Sequence, residues 1–215
     1  MKRTLFLLLA MLFANVLFAQ NVDPNVDPAD FTVDYVGYKY KENGEVVVHN
    51  YDEEILSSLM PWDLVIPSSV THNGTTYTVT SIGTGAFTGC HKLQSVVIPS
   101  SVTYIGYNAF LACGSLSSVT IGESVTFIGS SAFSGCNSLV NITLPNSVNN
   151  IGDAAFKDCE NLQTVTIGSG LTAIADHAFH SCMQLKTVNF NGNSLTTIGN
   201  YAFYDCEALK KDCST

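Results

Sequence analysis

Apolar residues recur in a fixed order along most of this chain. One stretch reads Ile82-Gly83-Thr84-Gly85-Ala86-Phe87-Thr88-Gly89-Cys90-His91-Lys92-Leu93 and continues through Val96, Ile98, Pro99 and Val102. The same order restarts at Ile105, Ile128, Ile151, Ile174 and Ile198, so five full units precede a partial sixth. Cysteines mark the period: Cys90, Cys113, Cys136, Cys159 and Cys182 stand 23 residues apart, and Cys206 follows after 24. A fixed period in this range is the signature of a solenoid, in which each unit buries its apolar edge only by stacking on the next.

Each column of the repeat predicts an element. Ala, Phe, Cys and Leu fall at i, i+1, i+4 and i+7, which is one face of a short helix. Two residues before each Ala stands Thr84, Tyr107, Ser130, Asp153, Asp176 or Asn200. All but Tyr107 are helix N-cap types, whose side-chain oxygen accepts a free amide of the first turn. Leu-x-x-Val-x-Ile then predicts a strand, with Leu93, Val96 and Ile98 and their repeat counterparts pointing inward. Pro99 and Pro145 end two of these strands, since proline cannot donate to a ladder; Gly122, Gly168 and Asn191 turn the chain in the other repeats. A second short strand, Ser-Val-x-x-Ile, completes the coil.

The ends depart from the period. Lys2 and Arg3 precede an apolar stretch at residues 5–17, and Ala19 stands before Gln20. Charge, apolar run and small residue in that order make a signal peptide over residues 1–19. The run is too short for a spanning helix, which needs ~20 residues. Residues 20–30 hold the duplicated Asn21-Val22-Asp23-Pro24 and Asn25-Val26-Asp27-Pro28, an extended linker. Residues 31–64 are expected to form a β-hairpin cap, because Asn43-Gly44 separates the Tyr38/Tyr40 run from Val46, Val47 and Val48. A second Asn-Gly, Asn73-Gly74, joins Val70 to Tyr77-Thr78-Val79. The solenoid is assigned to residues 65–215. Its last strand should fail, since Asp212 stands where an inward Val belongs.

Composition narrows the function classes. Cleavage removes Lys2 and Arg3, leaving seven lysines, no arginine and eighteen acids, a net charge of −11. Nucleic acid requires a basic footprint, so it is excluded as a partner. Anionic membrane surfaces are disfavoured on the same ground, and no second apolar run makes the mature chain an integral membrane protein.

The repeat also accounts for most residues that look chemical. The spaced cysteines lack the close C-x2-C pairing of a metal site. Parallel side chains one coil apart suit a disulfide poorly, so they read as buried free thiols. Cys206 and Cys213 are less constrained, and a bridge between them stays open. Gly83-x-Gly85 resembles a dinucleotide loop, but Gly83 recurs as Gly106, Gly129, Gly152 and Gly199, so coil geometry explains it. His177 and His180 lack a third metal ligand and read as a solvated pair. No residue stands out from the repeat as a nucleophile. Catalytic residues, metal and cofactor are therefore none, and the chain is read as no enzyme.

The recurrent I-G-x-x-A-F-x-x-C-x-x-L-x-x-V-x-I-P-x-S-V, over residues 65–209, resembles the BspA-like leucine-rich-repeat family of bacterial surface proteins. That resemblance implies a leucine-rich-repeat solenoid, an α/β right-handed coil with short parallel strands and short helices behind an N-terminal β-hairpin cap. It also implies cell-surface adhesion, with no catalytic residues to carry across. The expected function is a secreted or cell-surface adhesion and recognition module. Its partner is an extracellular protein or glycan, such as a host matrix protein or a neighbouring cell surface. The alternative is a structural spacer or assembly module that self-associates through its C-terminal coil. The expected ligand-binding residues are the outward strand columns Ser95, Ser118, Asn141, Thr164, Thr187 and Val97, Thr120, Thr143, Thr166, Asn189, with the aromatic pair Tyr104 and Phe127.

Overall fold

A computed structural model describes residues 30–33, 36–49 and 63–209. The signal segment, the Asn-Val-Asp-Pro duplication, Asp212 and Cys213 lie outside the described residues. Strands β1 (Phe31–Val33), β2 (Val36–Tyr40) and β3 (Glu45–Val48) form an antiparallel meander. Residues 42–44 make its tip, a three-residue loop closed by the Lys41 amide on the Glu45 carbonyl at 2.8 Å, in which Asn43 and Gly44 carry left-handed φ of 64° and 74°. Strand β4 (Asp63–Val65) follows, then β5 (Ser69–His72) and β6 (Thr75–Ile82), paired antiparallel around Asn73-Gly74.

Five coils then contribute a longer and a shorter strand each. They are β7 (Ser95–Val97) and β8 (Tyr104–Ile105), β9 (Ser118–Thr120) and β10 (Phe127–Ile128), and β11 (Asn141–Leu144) and β12 (Asn150–Ile151). The last four are β13 (Thr164–Ile167), β14 (Ala173–Ile174), β15 (Thr187–Phe190) and β16 (Thr197–Ile198). Equivalent residues pair in parallel, coil on coil, as Thr164↔Thr187 and Ile105↔Ile128 do. The longer strands form two ladders, β4-β7-β9 and β11-β13-β15. The shorter ones run β6-β8-β10-β12, with β14-β16 separate. The N-terminal meander joins the short-strand side, where β3 pairs with β6.

The interior is a set of in-register columns. Phe87, Phe110, Phe133, Phe156 and Phe179 are wholly buried, and successive rings stack with centroids 5.1–5.4 Å apart. Leu93, Val96 and Ile98 point inward as expected. At the far end Phe190 and Ile198 do not: they are 46% and 57% exposed, because no further described coil covers them.

The expected short helices are absent. Among the described residues no α-helix occurs, and residues 83–93 and their counterparts form consecutive tight turns. Amides there alternate in partner. Ala86, Thr88 and Cys90 donate three residues back, whereas Gly85, Phe87 and Gly89 donate to Tyr107, Ala109 and Leu111 of the next coil. Left-handed residues recur at two places per coil, such as Gly85 and Gly89, Ala154 and Asp158, and His177 and Ser181. Two spacings explain the outcome. Coils repeat about every 5 Å, whereas a helix with its side chains is ~10 Å across. Tandem turns fit that repeat and place the same Ala, Phe, Cys and Leu inward. The N-cap role fails with the helix: Asp176 accepts the amide of Asn200 in the next coil, at 2.6 Å.

Close stacking also explains the glycine after each Ile. A Cβ on Gly129 would lie 2.6 Å from the backbone of Gly106 and Tyr107. Ala175 alone departs from glycine in this column.

Candidate binding surfaces

The outward side chains of the longer strands fall into two straight columns. Ser95 lies beside Ser118 and Val97 beside Thr120. Across the second ladder run Asn141, Thr164 and Thr187, then Thr143, Thr166 and Asn189. All ten are exposed or half-exposed, and none is charged. Alternation along the strand is the cause, since Val96, Ile142 and Val165 turn inward between them. Ser95 Oγ also donates to Asp63 Oδ1 on β4, at 2.5 Å. The ladder does not continue from β9 to β11, so the face is two three-stranded plates. Val65, 67% exposed, neighbours Val97 and gives the first plate an apolar corner.

Tyr104 and Phe127 lie elsewhere. They sit on β8 and β10 of the short-strand sheet, stacked with centroids 4.7 Å apart and planes 1° from parallel. Tyr107 meets Phe127 edge-on at 6.1 Å. Burial, then the adjoining Tyr107, pushes the Tyr104 phenol above its usual value. The twelve expected residues therefore make two surfaces.

Sequence reading passed over a further aromatic group. His177 stacks on Tyr201 and His180 on Tyr204, with centroids 5.2 and 5.1 Å apart. Tyr201 and Tyr204 are 60% and 52% exposed. The signal was available: each pair occupies one repeat column in the last two coils.

The cysteine ladder is internal. Cys90, Cys113, Cys136, Cys159 and Cys182 are buried free thiols, and Cys206 is a half-buried one. Each from Cys113 onward donates its S–H to the Phe carbonyl of the preceding coil, as Cys136 does to Phe110 at 3.3 Å. Burial pushes the Cys136 thiol up to about 12. Cys159 is raised by burial too. Cys113 and Cys182 are raised by a neighbouring thiol and then by burial. Thiolate chemistry is therefore suppressed at these four positions, whereas the hydrogen bond with Cys182 lowers the half-buried Cys206 thiol. Among the described residues no group of three His, Cys, Asp or Glu side chains is placed to hold a metal, and no helix is long and apolar enough to cross a membrane.

With these columns in register, comparison with known families is decisive. The family model for the BspA type leucine rich repeat region matches six copies over residues 80–210. The chain belongs to the BspA-type leucine-rich-repeat family. Solved structures agree with this BspA-type assignment. A leucine rich cell surface protein from Faecalibacterium prausnitzii is 32% identical with a TM-score of 0.70, covering 86% of this chain and 54% of that one. A leucine-rich repeat protein from Bacteroides ovatus is 31% identical with a TM-score of 0.53, covering 82% and 57%. The T. pallidum leucine-rich-repeat protein is 26% identical with a TM-score of 0.62, covering 84% and 91%. The BspA-type chain thus spans about half the length of the F. prausnitzii protein. No curated protein matches it.

Proposed function

We propose that this BspA-type protein is a secreted or cell-surface recognition and adhesion module that binds rather than catalyses. Its ligand is an extracellular protein or glycan held across the outward strand face. The observation that carries this reading is the pair of in-register columns, uncharged and rich in hydroxyls and amides, running across parallel ladders. Their backbone groups are already used in the ladder, so the side chains remain as the adaptable recognition layer. Long in-register faces of this kind are what solenoids present to partners. The cell-surface setting is supported by the F. prausnitzii relative.

The test is binding of the mature chain to immobilised extracellular-matrix proteins and glycans. The double variant Thr143→Lys, Thr166→Lys places two charges on the face without touching the core. Retention of a ligand by the parent and at least tenfold weaker retention by the variant, at equal melting temperature, is the expected result. Equal retention by both overturns the assigned face.

A second reading, self-assembly through the last coil, rests on the exposure of Phe190 and Ile198. Sedimentation that changes with concentration for the parent chain, and not for Ile198→Lys, supports it; a concentration-independent monomer rules it out.

A further inference from the structure

The short-strand ladder is interrupted at one place, and the interruption opens a cleft. Residues Thr103, Thr126 and Asn149 each donate a backbone amide to the coil before, and so does Thr196. Glycines 106, 129, 152 and 199 do the same one step further on. Between the coils of β12 and β14 both rungs are missing: neither Thr172 nor Ala175 donates to its counterpart. Ala175 supplies the reason. In the glycine coils on either side, an added Cβ would lie 2.3 Å from Ser130 N at Gly152 and 2.6 Å from Asp176 N at Gly199. Ala175 has that Cβ, and the two strands part where it stands.

The gap is one edge of a cleft of about 420 Å³. Its walls are the parted strand edges, at Asn150 and Ile151 on one side and Ala173 and Ala175 on the other, with Phe127 and Tyr107 beyond. Phe127 is half-buried, and Tyr104 backs it from the other side. Asn149, Asn150 and Asp153 are exposed at the cleft, and their side chains make no hydrogen bond among the described residues. A peptide strand does not fit between β12 and β14: Cα atoms of the two strands still lie within 8 Å of each other, and an inserted strand needs two spacings of ~4.8 Å.

We propose that this cleft is a binding site for a neutral saccharide. A sugar ring has an apolar C–H face and a rim of hydroxyls that donate and accept. Phe127 and Tyr107 offer aromatic surface to the face. Asn149, Asn150 and Asp153, with the unpaired backbone groups of the parted strands, offer both acceptors and donors to the rim. The carboxylate of Asp153 and the acidic chain disfavour an anionic sugar. This site is on the short-strand side and stands or falls separately from the outward strand face.

The experiment is saturation-transfer NMR and titration of the mature chain with a set of neutral disaccharides (maltose, cellobiose, lactose and chitobiose). Three variants accompany it. Asn150→Ala removes a rim contact. Ala175→Gly removes the wedge and restores the ladder, closing the cleft without disturbing the core. Glu160→Gln alters an exposed turn outside both surfaces. Saturable binding of at least one disaccharide is expected, weakened tenfold or more by Asn150→Ala and by Ala175→Gly and unchanged by Glu160→Gln. Hydrogen exchange gives a readout without ligand: the residue-175 amide exchanges faster than that of Gly152 in the parent and slows in Ala175→Gly. No saturable binding to any of the four, or binding indifferent to Asn150→Ala and Ala175→Gly, overturns the proposal.

Discussion

At the scale of single residues, position in a column decides the energetics. Phe133 is wholly buried between the rings of Phe110 and Phe156, 5.1 and 5.3 Å away. Neighbouring coils hold the space open, so truncation leaves a cavity. Phe133→Ala is expected to destabilise by about 3–5 kcal/mol, which lowers the melting temperature by roughly 10 °C in a chain of this size. An unchanged midpoint in a thermal melt contradicts the stacked interior. Ala154 presents the opposite opportunity. Its φ is 56°, a conformation costing an L residue about 1–2 kcal/mol. Glycine relieves that strain and gives back about 0.5–1 kcal/mol through its freer unfolded chain. Ala154→Gly should therefore raise stability by about 0.5–1 kcal/mol, measured by denaturant midpoint at constant slope.

Elements in this protein are defined between coils rather than within them. A two-residue strand such as Phe127–Ile128 has no stability alone; it exists because Tyr104–Ile105 and Asn150–Ile151 flank it. The tandem turns follow the same rule, since half their amides reach the next coil. Hence the spacing between coils is the quantity that mutations disturb most. Gly129→Val places branched carbon where the backbone of Gly106 already sits. A cost of about 3 kcal/mol is expected, with fast hydrogen exchange confined to the rungs around residue 129. Uniform exchange across all coils after that substitution contradicts local separation. Ala175 is the natural version of this experiment in miniature, with a methyl group in place of an isopropyl.

At the scale of the whole molecule the thiol ladder links stability to pH. Cys113, Cys136, Cys159 and Cys182 have thiols raised above the ordinary value near 9. In the unfolded chain these thiols ionise near that ordinary value; in the fold they stay protonated. Between those limits the folded state holds more protons, so stability falls as pH rises. Below pH 8 the contribution is complete. Above pH 9 stability falls further with each pH unit, and for Cys136, whose thiol is pushed up to about 12, the loss runs at about 1 kcal/mol per unit. Denaturant unfolding from pH 7 to 10 checks this: a sharp alkaline loss is expected, smaller in Cys136→Ala after allowing for its own packing cost. A flat profile above pH 9 contradicts the assignment of protonated, buried ladder thiols.

The 23-residue order of Ile, Ala, Phe, Cys, Leu and Val was enough to establish the solenoid, its inward columns and the alternation that sends Thr143 and Thr166 outward, and the two Asn-Gly dipeptides ahead of it marked the hairpin turns. These follow from which side chains leave water and at what spacing, and a linear pattern records that. The path of the backbone between Gly83 and Leu93 was not legible. A helix and a train of turns place Ala, Phe, Cys and Leu on one side alike, and only the distance to the next coil selects between them. The separation of Tyr104 and Phe127 from the outward columns, and the parting of β12 from β14 at Ala175, likewise depend on what lies one coil away. Local periodicity determines which atoms are buried; contact across the coil spacing determines the shape that buries them.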